Sequence, residues 1–137
     1  MTVFTNGCFD IIHKGHLRLL QYCRQLSRRH CNSDPGRVFV GINTDASIKR
    51  IKGSTRPVIT QYDRRFHLLS LKYVDDVFFF DEDTPYELIK RVQPHIIVKG
   101  GDYDPASVVG SDLARVEIFK YIDGVSTTEF IEKIKKL

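Results

Sequence analysis

No run of this 137-residue chain is apolar for the ~20 residues a membrane-spanning helix needs, which excludes a helical integral membrane protein and predicts no membrane partner. Cysteine is scarce: Cys8, Cys23 and Cys31 form no Cys-x-x-Cys pair, and there is no His-Glu-x-x-His run, so neither a disulfide framework nor a ready metal cage is written into the chain. An odd cysteine count without a signal peptide predicts free thiols in a reducing cytoplasm. There is no long basic stripe with interleaved aromatic platforms, so nucleic acid is not the expected partner. Internal repeats, low-complexity stretches and linkers are also missing, which predicts one domain over residues 1–137.

What is present reads as an ordinary soluble domain with 42% hydrophobic and 28% charged residues. The net charge of +4 gathers in short runs. Arg28-Arg29-His30 and Lys133 with Lys135-Lys136 read as solvated helix ends. Lys49-Arg50, Lys52 and Arg56 lie around a Gly-containing loop better suited to holding an anion.

Apolar runs predict strands over Val3–Asn6, Val38–Asn43, Val77–Phe80, His95–Lys99 and Val116–Tyr121. Helical periodicity predicts Gly15–Arg28, a short turn at Ala46–Lys49, and helices over Gln61–Lys72, Thr84–Gln93 and Ser126–Lys136. Near-continuous runs such as Val38-Phe39-Val40 and Ile96-Ile97-Val98 suit a parallel sheet buried on both faces. The expected fold is α/β, a Rossmann-like doubly wound parallel sheet of about five strands with helices on both faces. Thr84-Pro85-Tyr86-Glu87 predicts a capping box. Ser126-Thr127-Thr128-Glu129 has the same form, and by local pattern it serves equally as a cap or as a phosphate-binding helix start. Arg28–Gly36 reads as a surface loop.

The chemistry concentrates between Thr5 and His16, Thr-Asn-Gly-Cys-Phe-Asp-Ile-Ile-His-Lys-Gly-His. His13 and His16 flank Lys14-Gly15 where a strand gives way to a helix. Phosphate recognition suits them, because Gly15 allows close backbone approach and both imidazoles can donate. A structural role and a metal pair are the other two readings, the latter needing a third ligand from elsewhere. Cys8 lies in an extended run and reads as packing rather than as a nucleophile. His30, His67 and His95 read as structural or surface residues.

The Thr5–Asp10 string followed by His13-Lys14-Gly15-His16 resembles the signature of the cytidylyltransferase-like nucleotidyltransferases, whose hallmark is His-x-Gly-His. Asn43-Thr44-Asp45-Ala46-Ser47 with Lys49-Arg50, Lys52-Gly53 and Arg56-Pro57-Val58 is similar to their second block, and Gln61–Arg65 to their acidic-x-Arg helix start. Val98–Tyr103 and Gly124–Thr128 complete the series in order. Within the family, Lys99-Gly100-Gly101-Asp102-Tyr103, Asp81–Pro85 and Asp-Gly-x-Ser-Thr-Thr are most similar to adenylyltransferase domains of ADP-heptose synthases. Glycerol-3-phosphate cytidylyltransferases compete, but they carry an arginine where this chain has Tyr121-Ile122-Asp123.

The resemblance implies transfer of AMP from ATP to a sugar 1-phosphate, with D-glycero-β-D-manno-heptose 1-phosphate favoured. The alternatives are a CTP-dependent enzyme acting on glycerol 3-phosphate or another polyol phosphate, and a non-catalytic nucleotide-binding module. By the same resemblance, His13, His16 and Lys52 are catalytic. Asn6, Gly7, Cys8, Phe9, Gly15, Arg65, Gly100, Asp102, Ser126, Thr127 and Thr128 bind nucleotide, and Asp10 and Lys49 bind the acceptor. Mg²⁺ is expected on the triphosphate without direct protein ligands. A homodimer and a separate sugar kinase upstream are the implied partners.

Overall fold

A computed structural model describes residues 1–29, 34–120 and 126–137. The Tyr121–Asp123 departure, Gly124, His30, Cys31 and part of the Arg28–Gly36 loop therefore lie outside the described residues. Five strands, β1 (Thr2–Gly7), β2 (Arg37–Asn43), β3 (Asp76–Phe80), β4 (Ile96–Gly100) and β5 (Arg115–Phe119), form one parallel sheet in the order β3-β2-β1-β4-β5. The helices are α1 (Lys14–Ser27), α2 (Asp45–Lys52), α3 (Gln61–Leu69), α4 (Tyr86–Val92) and α5 (Thr127–Lys135). A short 3₁₀ turn spans Pro105–Ser107.

The sheet is covered on both faces, as the apolar runs predict. On one face Leu19, Leu20, Cys23 and Leu26 of α1 pack with Leu68 of α3 against Val3, Val38, Val40 and Val98. On the other, Leu88 and Ile89 of α4 meet Phe4, Phe80, Ile97 and Val108. Gly41 permits the second layer: a Cβ there would lie 2.8 Å from the Phe4 ring and 2.9 Å from Leu88. Burying such a side chain contributes ~1.5–3 kcal/mol, so the second layer depends on that close approach.

Strand order reverses between β1 and β4. These two pair at Val3–Ile96 and Phe4–Ile97, and the Thr5 hydroxyl then donates to Val98 O at 2.8 Å. The carboxyl ends at Gly7 and Gly100 thus frame the kind of crevice where open α/β sheets take ligands.

Three local expectations need correction. Ala46–Lys49 is not a mere turn but part of the two-turn α2, whose Thr44 hydroxyl accepts from Ser47 N at 3.2 Å. Thr84 does not cap α4: Pro85 is the N-cap, no side chain caps the helix, and Glu87 falls at its second position, where the box cannot close. Helix α3 ends at Leu69 rather than Lys72, with Ser70 as its C-cap.

Candidate active site

His13 and His16 cap α1 against each other. His13 is the N-cap and His16 the third helical residue. The Gly15 N–H donates to His13 Nδ1 at 3.1 Å, and the His13 N–H donates to His16 Nδ1 at 3.2 Å. Two orphan amides of the helix start are thereby satisfied by imidazoles rather than by the usual hydroxyl and carboxamide. Because each Nδ1 accepts, each neutral ring carries its proton on Nε2. The rings stack with centroids 3.8 Å apart, and Phe9 closes on His16 at 5.0 Å.

Burial lowers the His13 pKa, and the nearby Glu129 carboxylate opposes that shift. For His16, burial together with the neighbouring His13 and Lys52 charges pushes the pKa down to about 3. Both rings are neutral Nε2–H donors at neutral pH. Lys14 between them points outward and is exposed.

His16 faces a cleft of about 240 Å³ at the carboxyl edge of the sheet. Asn6, Gly7, Cys8, Phe9, Asp10, Lys52, Gly100 and Thr127 line it, all of them expected from the sequence. Among the described residues, Lys52, Arg56 and Lys99 put three cations on its wall, with Asp10 as the single carboxylate. That carboxylate is already engaged. Val58 N and Ile59 N each donate to one of its oxygens at 2.8 Å. Asp10 therefore fastens the loop after α2 to the loop after β1 while lining the cleft in which an acceptor role is expected of it.

Helix α5 is stitched to the same corner. Ser126 caps it, accepting from Glu129 N at 3.1 Å, and the Thr127 hydroxyl donates to Ile11 O at 3.1 Å. The Phe130 ring lies 5.9 Å from His13. The cap reading of Ser126 is thus realised, while Thr127 reaches the cleft. Thr128, Asp102 and Lys49 are exposed and outside the cleft lining.

Arg65 lies away from the cleft. Its guanidinium donates to Val77 O at 3.4 Å and lies 3.9 Å from Asp76, at the amino end of β3, opposite the cleft. Its neighbour Arg64 points inward instead. Fully buried, Arg64 donates to Cys8 O and Asp45 Oδ1 at 2.8 Å and to Ile59 O at 2.9 Å. It joins the loop after β1, the start of α2 and the loop before α3. Phe9, with φ +48°, makes the tight turn that presents Cys8 O to it.

Lys99 and Tyr103 also line the cleft; both lie in the Lys-Gly-Gly-Asp-Tyr block, but sequence alone does not single them out as site residues. A lysine at the end of an otherwise apolar strand was the available signal for the first.

This arrangement, a His-Lys-Gly-His helix start over a cationic cleft at the β1/β4 crevice, coincides with a match of residues 4–133 to the family model described as Cytidylyltransferase-like. The chain belongs to the cytidylyltransferase-like family. Among its relatives, the Bifunctional protein HldE of a Nitratiruptor species is 50% identical over 97% of this chain. The protein of the same name from Aliarcobacter butzleri is 47% identical over 98%. The cytidylyltransferase-like chain spans 27% of the length of each of these relatives. A crystal structure of the lipopolysaccharide core biosynthesis protein from Thermoplasma volcanium superposes with a TM-score of 0.68 at 25% identity, covering 89% of this chain and 96% of that one. Among the described residues, no helix is long and apolar enough to cross a membrane.

Proposed function

We propose that this nucleotidyltransferase transfers AMP from MgATP to a sugar 1-phosphate, with D-glycero-β-D-manno-heptose 1-phosphate the favoured acceptor. An acceptor phosphate oxygen bonds to the α-phosphorus while the bond to the α–β bridging oxygen breaks. The electron pair leaves with pyrophosphate, and the product is an ADP-sugar. A phosphate oxygen is nucleophilic enough without a general base, so the protein's work is to hold two polyanions in line and to stabilise developing charge.

The observation that carries this reading is the stacked pair of neutral imidazoles, of which His16 lines a cationic cleft and His13 backs it. Donors fixed in place before reaction need no reorganisation as charge builds, and each such donor is worth ~10²–10³ in turnover. Lys52 and Arg56 suit the triphosphate, and the start of α5 at Thr127 suits the leaving pyrophosphate. In this reading Mg²⁺ is carried by the triphosphate. The HldE relatives support ATP and a heptose phosphate over CTP and glycerol 3-phosphate.

A sugar kinase activity supplies the phosphorylated acceptor in this scheme. Homodimerisation has a candidate surface in α3, which exposes Tyr62 and Phe66. The test is product identification by ³¹P NMR. Incubation of ATP with the heptose 1-phosphate should give paired diphosphate-ester resonances together with pyrophosphate. ADP and inorganic phosphate as the only products would overturn the reading.

A further inference from the structure

A series of ring contacts runs through the histidine turn. Phe9 lies 5.0 Å from His16, His16 3.8 Å from His13, and His13 5.9 Å from Phe130, centroid to centroid. The interplanar angles are 43°, 27° and 32°, so no ring stands edge-on to its neighbour. The series begins in the loop after β1, passes through both imidazoles at the start of α1, and ends on α5.

Its two ends are held differently. Phe9 is buried, and its ring lies against Gly7, where a Cβ would come within 3.1 Å of it. Phe130 comes from a helix that buries none of its residues. Phe130 and Ile134 share one face of α5 a turn apart, yet Ile134 is 62% exposed and Phe130 39%, its ring turned in towards His13. Three residues earlier the Thr127 hydroxyl donates to Ile11 O, two residues before His13. The beginning of α5 is thus fitted to the segment that carries the histidine pair.

Each imidazole is held by a hydrogen bond at one edge, through Nδ1. A single bond of that kind tolerates angles down to ~120°, so it leaves a ring free to tip. Ring neighbours resist the tipping: each imidazole has the other and one phenyl group. We infer that Phe130 is a positioning residue for the histidine pair, its ring bracing His13, which in turn backs His16 at the cleft wall. This rests on the nucleotidyl-transfer reading above. Phe130 is absent from the cleft lining and acts through His13. Donors serve a transition state only while they are held in place, and a misplacement of about 1 Å can cost ~10²-fold. Losing the brace therefore lowers turnover and leaves ground-state contacts intact.

The test is Phe130→Ala. Its kcat with heptose 1-phosphate should fall about tenfold or more, with the ATP Kd and both KM values within about twofold of wild type. Phe130→Tyr keeps the ring and should recover most of the loss. A second readout is independent of turnover. Imidazole ¹⁵N shifts distinguish an accepting Nδ1 from a protonated Nε2, and exchange of the Gly15 amide reports its bond to His13. In Phe130→Ala the His13 ¹⁵N pattern should depart from wild type and the Gly15 amide should exchange about tenfold faster, both reverting in Phe130→Tyr. Unchanged kcat in Phe130→Ala would overturn the inference, and so would a lower kcat with the His13 pattern and Gly15 exchange unmoved. A raised ATP KM with kcat unchanged would also overturn it, because Phe130 would then only prop the α5 start. If wild type uses another phosphate acceptor, the kinetic comparison moves to that acceptor. If wild type transfers to none, the nucleotidyl-transfer reading fails, and the His13 pattern and Gly15 exchange alone decide whether Phe130 braces the pair.

Discussion

Replacing His16 by glutamine separates its two jobs. As the third residue of α1, His16 accepts from the His13 main-chain N–H through Nδ1, and it presents Nε2–H to the cleft. Glutamine is a usual capping-box residue at that position and can take over the first job. It cannot place a donor where the imidazole edge sits. The expected result for His16→Gln is a loss of ~10²–10³ in kcat, equivalent to ~2.7–4 kcal/mol of transition-state stabilisation. ATP affinity should stay within about twofold, since the lost donor acts on charge that develops only during transfer. Stability should hold to about 0.5 kcal/mol in urea unfolding. For His16→Ala the same kinetic loss should come with ~0.5–2 kcal/mol of destabilisation from the missing cap. Continuous pyrophosphate release gives kcat, and calorimetry gives the ATP Kd. If His16→Gln turned over within a few-fold of wild type, the imidazole would be a helix cap and nothing more.

Arg64→Ala should destabilise by ~3–5 kcal/mol, because it leaves Cys8 O, Ile59 O and the Asp45 carboxylate without a buried cation; a urea midpoint shift checks this. Arg65→Ala should leave kcat and ATP Kd within about twofold and cost at most ~1 kcal/mol, as an exposed partner of Asp76 at the far end of β3. Stability should fall as pH drops from about 6.5 towards 3. His16 titrates near 3 when folded and near 6.5 when unfolded, so over that window the unfolded chain binds more protons. Urea midpoints at pH 7.5 and 5 measure this, and the drop should shrink in His16→Gln.

The sheet was legible because its strands are buried on both faces, and short β-branched runs such as Ile96-Ile97-Val98 suit such strands better than helices. The histidine turn was legible because His-Lys-Gly-His is local. Helix α2 was harder to see: Ile48 is its single buried apolar residue, and Lys49, Arg50 and Lys52 hide the periodicity. Arg64 and Arg65 are adjacent on a helix, about 100° apart, and only the packed loops decide which one turns inward. Asp10 reads as a site carboxylate, and its second task of holding the amides of Val58 and Ile59, 48 and 49 residues away, is invisible in the sequence. Lys99 and Tyr103 become site residues only when β4 is laid beside β1. What sequence alone could not convey was which polar groups are consumed in building the cleft and which are left to face a substrate.

Pyrophosphate release across a four-way panel, ATP or CTP with D-glycero-β-D-manno-heptose 1-phosphate or glycerol 3-phosphate, tests the central claim most directly. Transfer of AMP to a sugar phosphate predicts that ATP with the heptose phosphate is fastest by at least about tenfold. Faster turnover of CTP with glycerol 3-phosphate would contradict the substrate assignment, and release from no pair would contradict nucleotidyl transfer to either acceptor.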